Sequence, residues 1–371
     1  MPSRLLGPCT TPSWVVEVDK LKVAVLGATG LVGQRFVKLL VDHPFFEVVA
    51  LTASSKSAGK KYCEATNWML GPDFPEAVKD LEVLETSPEA VKRCGYVVDL
   101  VFSALPSNVA KEVEPAFAKE GFNVVSNASA MRMFDDVPLI VPEINPDHLH
   151  LIHVQRRKRG WKGLIATNPN CSTIILTLSL KPIVDYVGVE AVHVTTMQAV
   201  SGAGFSGVAS MAIIDNIIPF IAKEEEKIQT ESLKILGKLS EGFVRFADIA
   251  ISASCNRVCV LDGHLESVFV KLRRSVDLEE LKDVLRGFRG LPQELKLPTA
   301  PPSPIIVREE EDRPQPRLDR EEHKGMSVVV GRLRYGKDGW LKYTVLGNNV
   351  VRGAAGNSIL IGELMVKKGF L

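Results

Sequence analysis

The sequence predicts an α/β protein with a doubly wound parallel sheet, followed by a second, α+β domain that carries a mixed sheet. Three observations support this fold class. Short apolar strands alternate with amphipathic helices in the first half, a glycine-rich turn joins the first strand to the first helix, and the strands grow longer and more alternating after Gly163. This order of elements is typical of a Rossmann-type domain joined to a second domain.

The first domain begins with the strand "KVAVLG" at residues 22–27 and a helix that Pro44 terminates. Its apolar residues recur at helical spacing, which predicts one buried face. Later elements continue the alternation, with strands over residues 47–54, 96–106, 123–129, 138–145 and 164–167 and a helix over residues 107–120.

The second domain is predicted from three alternating segments, at residues 191–202, 258–273 and 326–348, of which the last contains the turn "GKDG". Residues 297–325 are rich in proline and charge, which predicts an extended surface excursion. A helix within residues 349–371 is expected to pack back on the first domain. The predicted division is therefore a leader over 1–21, a cofactor domain over 22–165 and a catalytic and dimerisation domain over 166–348.

Composition narrows the class of protein. The chain has 371 residues and a formal net charge of +1, which gives no electrostatic reason to expect a nucleic-acid or membrane partner. No apolar run is long enough to span a bilayer, and the first twenty residues lack the apolar core of a signal peptide. Six cysteines without a secretory signal predict reduced thiols. We expect a cytoplasmic protein with a disordered leader.

Two patterns resemble metal sites only weakly. Cys255 and Cys259 are three residues apart without a second pair near them, and His148, His150 and His153 lie in a polar connection without nearby carboxylates or thiols. The sequence therefore predicts no metal site.

The turn "GATGLVG" carries the cofactor hypothesis. Glycines at this position permit a tight turn and a close approach to a pyrophosphate, and the N-terminus of the following helix offers free N–H groups. A plain strand–helix turn is the alternative. The position of this glycine-rich turn after the first strand favours a dinucleotide site. The predicted contacts are Gly27, Thr29, Gly30, Leu31 and Val32.

The end of the second strand predicts which dinucleotide binds. NAD enzymes usually place an acidic residue here for the ribose hydroxyls, but the segment "LTASSKSAGKKY" has none. It offers instead Ser54, Ser55, Lys56 and Ser57. Hydroxyls and an ammonium suit a 2′-phosphate, so NADP is favoured over a merely solvated basic loop.

Cys171 is the candidate nucleophile. It lies between the turn Asn168-Pro169-Asn170 and a long apolar run that predicts a helix. A thiol at a helix N-terminus is expected to have a lowered pKa, because the helix dipole stabilises the thiolate. The alternative is a buried structural cysteine.

Five motifs, in order, then make the sequence specific: "GATGLVGQ", "TNPNCST", "QAVSGAG", "RVCVLDGH" and "GNNVVRGAAGNS". Together they resemble aspartate-β-semialdehyde dehydrogenase from about Lys22 to the C-terminus, and the "DRPQPRLDRE" stretch resembles the fungal and archaeal branch. The leader departs from the family pattern. So does Cys259, which stands where proline is usual and which we expect to change packing rather than chemistry.

The resemblance implies a reaction and its catalytic residues. The family reversibly reduces and dephosphorylates L-aspartyl-4-phosphate with NADPH, giving L-aspartate semialdehyde and phosphate for lysine, methionine and threonine biosynthesis. By matched motif, Cys171 would form the thioester, His264 would be the general acid/base and Gln198 would orient the intermediate. Because Arg257 and His264 are an odd number of residues apart, a turn at Asp262-Gly263 must bring His264 round.

The resemblance also implies how the substrate is held. Arg257 would bind the α-carboxylate, since a guanidinium forms two parallel hydrogen bonds with a carboxylate. Glu224, or Glu225 in a shifted register, would meet the ammonium, although this segment also reads as a solvated helix face. The phosphate would be held by Arg132, Lys227 and Asn170.

The nicotinamide pocket and the assembly are carried over in the same way. The family forms homodimers or homotetramers, and the sheet of the second domain is the expected contact. The residues expected near the nicotinamide ring and its carboxamide are Ser103, Leu105, Pro106, Ser172, Ser201, Gly202, Gly204 and Asn348.

Three alternatives remain. A malonyl-coenzyme A reductase would keep Cys171 and His264 without needing Arg132 and Lys227 for a phosphate. N-acetyl-glutamyl-phosphate reductase fits less well, because an acetamide is not what Glu224 would recognise. A non-catalytic dinucleotide sensor gives no reason for the catalytic residues to occur together.

Overall fold

The structure is a computed structural model that describes residues 19–371. The predicted leader, apart from its last three residues, lies outside the described residues. Within residues 19–371, no helix has the length and apolar character needed to cross a membrane.

The first sheet has six strands, all parallel, in the order β3-β2-β1-β4-β5-β6. This order places the change of winding direction between β1 and β4, where doubly wound sheets bind ligands. The central strands are buried on both faces, as their continuous apolar runs predict. The strands are β1 (Leu21–Leu26), β2 (Phe46–Ala53), β3 (Val83–Glu85), β4 (Leu100–Ser103), β5 (Asn123–Ser126) and β6 (Leu164–Thr167).

Helices cover both faces of this sheet. The first, α1, buries Phe36, Val37 and Leu40 against the core, which explains its apolar spacing. The helices along this part of the chain are α1 (Leu31–Leu40), α2 (Tyr62–Ala65), α3 (Pro88–Lys92), α4 (Ser107–Lys119) and α5 (Leu151–Arg159).

The second sheet is mixed, with the strand order β10-β7-β11-β14-β13-β12. The pairs β10/β7 and β12/β13 are parallel, whereas the other neighbours are antiparallel. The mixed sheet confirms the predicted fold class. Its strands, with the separate hairpin β8/β9, are β7 (Val189–Gln198), β8 (Lys238–Ser240), β9 (Phe243–Arg245), β10 (Ala250–Arg257), β11 (His264–Leu272), β12 (Ile305–Val307), β13 (Val328–Tyr335) and β14 (Leu341–Gly347).

One long helix, α6, packs along the buried face of the second sheet and starts at Cys171. A π-helix at Val351–Ala355 leads into the C-terminal helix, which packs Ile359 and Leu360 into the core of the first sheet. The remaining helices are α6 (Cys171–Val187), α7 (Ser210–Ile213), α8 (Glu224–Ile235), α9 (Leu278–Gly287), α10 (Leu291–Glu294), α11 (Pro316–Asp319) and α12 (Gly356–Lys367).

Three sequence-based element predictions differ from the structure. The strand predicted over 138–145 is absent, because this segment forms turns and pairs only through one bridge between Leu139 and Thr167. The strand predicted over 258–273 starts only at His264, and β10 was not predicted. The excursion over 297–325 contains β12, which completes the edge of the second sheet.

Candidate active site

The predicted site residues meet where both sheets end. The carboxyl ends of β1, β4 and β6 supply the glycine turn, Ser103 and the turn before Cys171. The ends of β7 and β10 and the start of β11 supply Gln198, Arg257 and His264, and α8 adds further charged groups. The site is therefore built from two sheets and the helices between them.

The glycine turn packs so closely that it excludes side chains. Gly27 has φ +74°, and a Cβ there would lie 2.9 Å from the Ala104 carbonyl oxygen. A Cβ on Gly33 would lie 2.1 Å from the Gly27 oxygen, so the helix rests directly on the turn. The first turn of α1 has no acidic residue and no side-chain cap at Gly30, so its N–H groups are open to an anion.

The segment after β2 carries the residues that were predicted to bind a 2′-phosphate. Ser54, Ser55 and Lys56 are exposed and Ser57 is partly buried, in consecutive turns at the same end of the sheet as the glycine turn. No carboxylate lies between Ser54 and Lys61 in the sequence. Lys61 is paired with Asp80 at 2.8 Å, which leaves Lys56 as the better ammonium for a ligand.

Two buried hydroxyls support a ligand pocket beside the sheet. Ser103, at the end of β4, and Ser172, in the first turn of α6, are fully buried, and neither Oγ has a hydrogen-bond partner among residues 19–371. Buried hydroxyls are normally paired, and for Ser103 the Glu114 carboxyl is close enough for the hydroxyl to oppose the rise in the pKa of that carboxyl. Nearby, Leu105 is partly buried and Pro106 is exposed at the start of α4.

Cys171 is the first residue of α6, as the sequence predicted. Asn170 caps the helix, because its Oδ1 accepts a hydrogen bond from the Thr173 amide at 3.1 Å. On the other side lies the π-helix, where a Cβ on Gly353 would come within 2.6 Å of the Cys171 Cβ. The thiol is partly buried and not in a disulfide.

The expected lowering of the thiol pKa is not found, and this prediction is corrected. Burial raises the pKa of Cys171 to about 12, and the Glu224 carboxylate adds to the rise. The backbone N–H of Ser172 and the charges of Arg132 and Arg257 oppose it. Helix position alone therefore does not ionise this thiol, because desolvation and a nearby anion outweigh the helix N-terminus.

Arg257 and His264 meet at the backbone of Ala199. Arg257 donates from Nη1 to the Ala199 oxygen at 2.7 Å, and the Ala199 amide donates to His264 Nδ1 at 3.1 Å. Gly202 closes the cluster, since a Cβ there would lie 2.7 Å from Arg257 Nη1 and 3.1 Å from His264 Cε1. The chain turns between β10 and β11 at Gly263, with φ +100°, as the odd spacing required.

The contact with Ala199 decides the form of His264. Because a backbone N–H can only donate, Nδ1 must be the acceptor, and the neutral ring then carries its proton on Nε2. Burial, reinforced by the charge of Arg257, lowers the pKa of His264 to about 3. Nε2 is buried and finds no acceptor within the described part of the chain. His264 is therefore a neutral ring with its N–H donor at Nε2.

Gln198 ends β7, in register with Arg257 of β10. Its side chain is buried and donates to the Thr196 hydroxyl at 3.3 Å. Ser201 and Gly204 follow in the turn after β7, where Ser201 accepts from Asn349 at 2.9 Å. Gln198 thus lies at the end of the strand between those that carry Arg257 and His264.

Glu224, not Glu225, faces Cys171. Glu224 is 6% exposed and accepts from the Asn170 side chain at 2.5 Å, while its second oxygen accepts from Lys227 at 3.1 Å. Glu225 instead accepts from the Cys255 amide on β10. Of the two glutamates that the sequence left open, Glu224 is thus the one beside Asn170.

Arg132 reaches the same region from the turn after β5. Its guanidinium donates to the Glu231 carboxylate at 2.9 Å and to the Asn127 oxygen at 2.7 Å. The side chain is buried, and its Nε has no partner among the residues that the structure describes.

Asn348 is placed differently from its predicted use. Its Oδ1 accepts from the Val350 and Val351 amides, and its Nδ2 donates to Glu321 at 3.3 Å. Both ends of this amide therefore have protein partners already. The next residue, Asn349, connects two loops of the site by accepting from Gly263 and donating to Ser201.

Several groups of the site were not predicted. Glu231 and Lys234 of α8 bind the Arg132 turn, and Glu266, two residues after His264 on β11, is fully buried. Burial, reinforced by the charge of Glu224, raises the pKa of Glu266 well above its usual value. Charges at helical spacing in "EEEKIQTESLK" were the available signal for α8, but they also fit a solvated helix.

Among the described residues, the two metal-like sequence patterns do not form a cluster of metal-binding side chains. In residues 19–371, no three His, Cys, Asp or Glu side chains are grouped as a metal ion would require. His148 is buried and bonded to Asn145 at 2.9 Å, and Cys255 is buried while Cys259 is exposed.

Two protein-family models match the two halves of the chain. The family model described as "Semialdehyde dehydrogenase, NAD binding domain" matches residues 22–152. The model described as "Semialdehyde dehydrogenase, dimerisation domain" matches residues 180–352. Together they cover most of the described residues and every strand of the two six-stranded sheets except β6, which lies between the two matches.

Relatives and solved structures agree with this assignment. An aspartate-semialdehyde dehydrogenase of Methanothermobacter thermautotrophicus is 57% identical over 93% of this chain and 99% of its own length. A crystal structure of the Candida albicans aspartate-semialdehyde dehydrogenase with NADP is 40% identical, covers 95% of this chain and 100% of its own, and superposes with a TM-score of 0.87. A malonyl CoA reductase (NADP) of Metallosphaera sedula is 40% identical over 95% of this chain and 98% of its own length.

Proposed function

We propose that this chain, which belongs to the aspartate-semialdehyde dehydrogenase family, catalyses the reversible NADPH-dependent conversion of L-aspartyl-4-phosphate to L-aspartate 4-semialdehyde and phosphate. The observation that carries this function is the meeting of Cys171 with Arg257, His264 and Arg132 at the ends of two sheets. A nucleophile, a neutral N–H donor and two guanidinium groups are what an acyl phosphate requires.

The residues fit NADP. The bare glycine turn would receive the pyrophosphate, Ser54, Ser55, Lys56 and Ser57 would hold the 2′-phosphate, and the unpartnered Ser103 hydroxyl would face the nicotinamide. When bound, this cofactor supplies or accepts the hydride. The remaining predicted contacts, all at the same end of the molecule, are Thr29, Leu31, Val32, Leu105, Pro106, Ser172, Ser201, Gly202 and Gly204.

The covalent steps follow from the position of Cys171. Its sulfur attacks the acyl carbon, a C–S bond forms, the C–O bond to phosphate breaks, and phosphate leaves with the bonding electron pair. Because the free thiol holds its proton, deprotonation must accompany substrate binding or attack. The resulting thioester is reduced to a hemithioacetal, which collapses to the aldehyde and returns the thiolate.

His264 acts in this scheme as a hydrogen-bond donor. Its Nε2–H stabilises the oxygen that becomes negatively charged when the tetrahedral centre forms, and the Ala199 amide holds the ring in the correct tautomer. To act as a general acid, the ring would first need a second proton, which burial and Arg257 oppose. Gln198, at the end of the neighbouring strand, orients the same intermediate.

Two groups of polar and charged side chains recognise the two ends of the substrate. Arg257 binds the α-carboxylate and Glu224 the ammonium, while Arg132, Lys227 and Asn170 bind the phosphate. In the free protein Lys227 neutralises Glu224 at 3.1 Å, and a substrate would exchange this contact for its own ammonium and phosphate.

Malonyl-coenzyme A reduction is the second candidate, supported by the 40% identical Metallosphaera protein. That substrate has no ammonium for Glu224 to bind. Glu224, buried beside Asn170, therefore favours the amino-acid substrate.

The match to a dimerisation domain supports self-association. We extend this to a homodimer or homotetramer that works in the cytoplasm, and to a division of the chain near residue 165. Size-exclusion chromatography with light scattering would measure the assembly.

One assay tests the activity. The protein is mixed with NADP, phosphate and L-aspartate semialdehyde, and the absorbance of the reduced nicotinamide is followed. We expect a signal that requires phosphate. If malonyl-coenzyme A with NADPH were turned over instead, without any phosphate-dependent signal, the second candidate would replace the first.

A further inference from the structure

Helix α8 presents one row of charged residues to the site. Glu224, Glu231 and Lys234 are separated by seven and three residues, which places them on one face of the helix. They are 6%, 2% and 1% exposed. Buried charges of this kind are costly unless each is paired, so their partners show what the row does.

Glu231 joins two segments that leave the first sheet. Its Oε1 accepts from Arg132 Nη1 at 2.9 Å, in the turn after β5. Its Oε2 accepts from the backbone amide of Asn170 at 2.7 Å, in the turn after β6. One carboxylate therefore fixes the guanidinium and the residue before the nucleophile in relation to each other.

Lys234 holds the backbone that carries Arg132. Its Nζ donates to the carbonyl oxygens of Arg132, Phe134 and Val137 at 2.7, 2.8 and 2.8 Å. All three donors of the ammonium are thus used by one turn. Glu231 accordingly acts on a turn whose backbone is already fixed, so its own contact orients the Arg132 side chain.

Asn170 is fixed to α8 at two points. Its backbone amide donates to Glu231, and its side-chain amide donates to Glu224 at 2.5 Å. Cys171 is the next residue, and its sulfur position follows from the direction in which Asn170 starts the helix. Any shift of Glu231 would therefore change the position of the nucleophile relative to the guanidinium.

The guanidinium keeps donors for a ligand. Of its five N–H groups, one is used by Glu231 and one by the Asn127 oxygen. The buried Nε finds no acceptor among residues 19–371. Arg132 is thus held by two of its N–H groups, while its buried Nε has no protein partner among those residues.

We propose that Glu231 is a positioning residue that aligns the phosphate-binding edge of Arg132 with the Cys171 nucleophile; this rests on the proposed function. Its carboxylate is the group required, because both of its partners are N–H donors. A glutamine would turn an NH2 group toward one of them, and an aspartate, shorter by one methylene, would reach only one.

The test uses the full-length protein in the reverse reaction, with phosphate and L-aspartate semialdehyde varied separately. For E231Q we expect the KM of phosphate to rise about tenfold and kcat to fall about 10- to 100-fold, since support groups of this kind have such effects. The KM of the semialdehyde should stay within about twofold, because Arg257 and Glu224 keep their partners.

The matched control is E226Q, which makes the same change on the exposed face of α8. It should keep wild-type constants. E231D should fall between wild type and E231Q in phosphate KM, because it retains the charge. If E231Q does not unfold cooperatively, E231D is measured in its place. The same rise in phosphate KM and fall in kcat are then expected, but smaller.

The outcomes separate two failures. If wild type and E226Q show no phosphate-dependent signal, the proposed function is wrong. If they are active and the Glu231 variants keep a wild-type phosphate KM, whatever happens to kcat, the positioning role is overturned, because misalignment of Arg132 must weaken phosphate binding. A selective rise in the phosphate KM supports the role, since a merely structural defect would not act on phosphate selectively.

Discussion

The nucleotide turn and the catalytic centre are built in opposite ways. The turn is a single stretch of backbone, residues 27–33, that works because Gly27 and Gly33 have no side chains. The centre consists of side chains from six separate elements, among them Arg132, Cys171 and His264. The nucleotide turn depends on the absence of side chains in a short stretch of sequence. The catalytic centre depends on contacts between charged residues that are far apart in the sequence.

The two regions also differ in their electrostatics. The turn offers unpaired backbone N–H groups near solvent, whereas the centre buries charges that are paired with one another, such as Arg132 with Glu231. A buried group left without its partner costs far more than an exposed one. Substitutions in the centre should therefore have larger effects than substitutions around the nucleotide.

The largest effect is expected for Cys171→Ala. Without the sulfur no thioester can form, so kcat should fall by about 10⁵-fold or more. The dissociation constant of NADP, measured by calorimetry, should change by less than about threefold, because the glycine turn is untouched. Cys259→Ala, at an exposed cysteine, is the control. Substantial residual turnover in Cys171→Ala would contradict the covalent route.

His264 variants come next. Alanine removes the Nε2–H donor and should lower kcat about 10³-fold, whereas glutamine can place an amide N–H near the same point and should lose only about 10²-fold. The pH profile of kcat/KM should show no limb between pH 6 and 8 from His264, whose pKa is lowered to about 3. A limb in that range that disappears in His264→Gln would show that the ring works as a general acid after all.

What could be predicted from sequence follows the same division. The glycine turn, the helix at Cys171 and the basic segment after β2 are each one continuous stretch of sequence, so local pattern was enough to predict them. Glu231 has no local signal that separates it from a solvated helix, and β10 contains polar residues such as Ser252 and Asn256 that weaken its pattern. The raised pKa of Cys171 depends on burial and on Glu224, which only the folded chain brings near. Resemblance to a family located the site, but the tautomer of His264 needed the Ala199 amide.

Gly33→Ala tests whether the turn depends on absent side chains. A Cβ there would lie 2.1 Å from a backbone oxygen, so the helix must shift and the free energy of unfolding should fall by about 1–3 kcal/mol. NADP affinity should weaken about tenfold or more, as measured by calorimetry. Gly287→Ala, where a Cβ meets nothing within 4 Å, should leave both unchanged or add slightly to stability. Equal behaviour of the two variants would remove the steric account of the turn.

Lys56→Ala should have a smaller effect. The side chain is exposed, so its attraction to a 2′-phosphate is screened, and the KM of NADP should rise about 3- to 10-fold. The KM of NAD should not change, and the loss should diminish as salt concentration increases. Lys337→Ala, in the distant turn between β13 and β14, is the control. An equal rise for NAD and NADP would mean that Lys56 does not recognise the 2′ position.

The smallest change to be measured, and the most specific in sign, is expected in the alkylation of Cys171 in Glu224→Gln. Its carboxylate raises the pKa of the Cys171 thiol, so removing the charge lowers that pKa and increases the thiolate fraction at a fixed pH below it. Glutamine can still accept the hydrogen bond from Asn170, so the helix cap remains. Alkylation of Cys171 by iodoacetamide at pH 8, followed by peptide mass spectrometry, should therefore accelerate about two- to fivefold while turnover decreases. In wild type the rate should rise with pH up to about 10 without a plateau, since burial raises the pKa to about 12. A plateau near neutral pH would mean that the thiol is ionised before substrate arrives, and slower alkylation in Glu224→Gln would contradict the effect assigned to its carboxylate. Faster alkylation with slower turnover would instead show that Glu224 opposes ionisation of the nucleophile and is nevertheless needed for turnover.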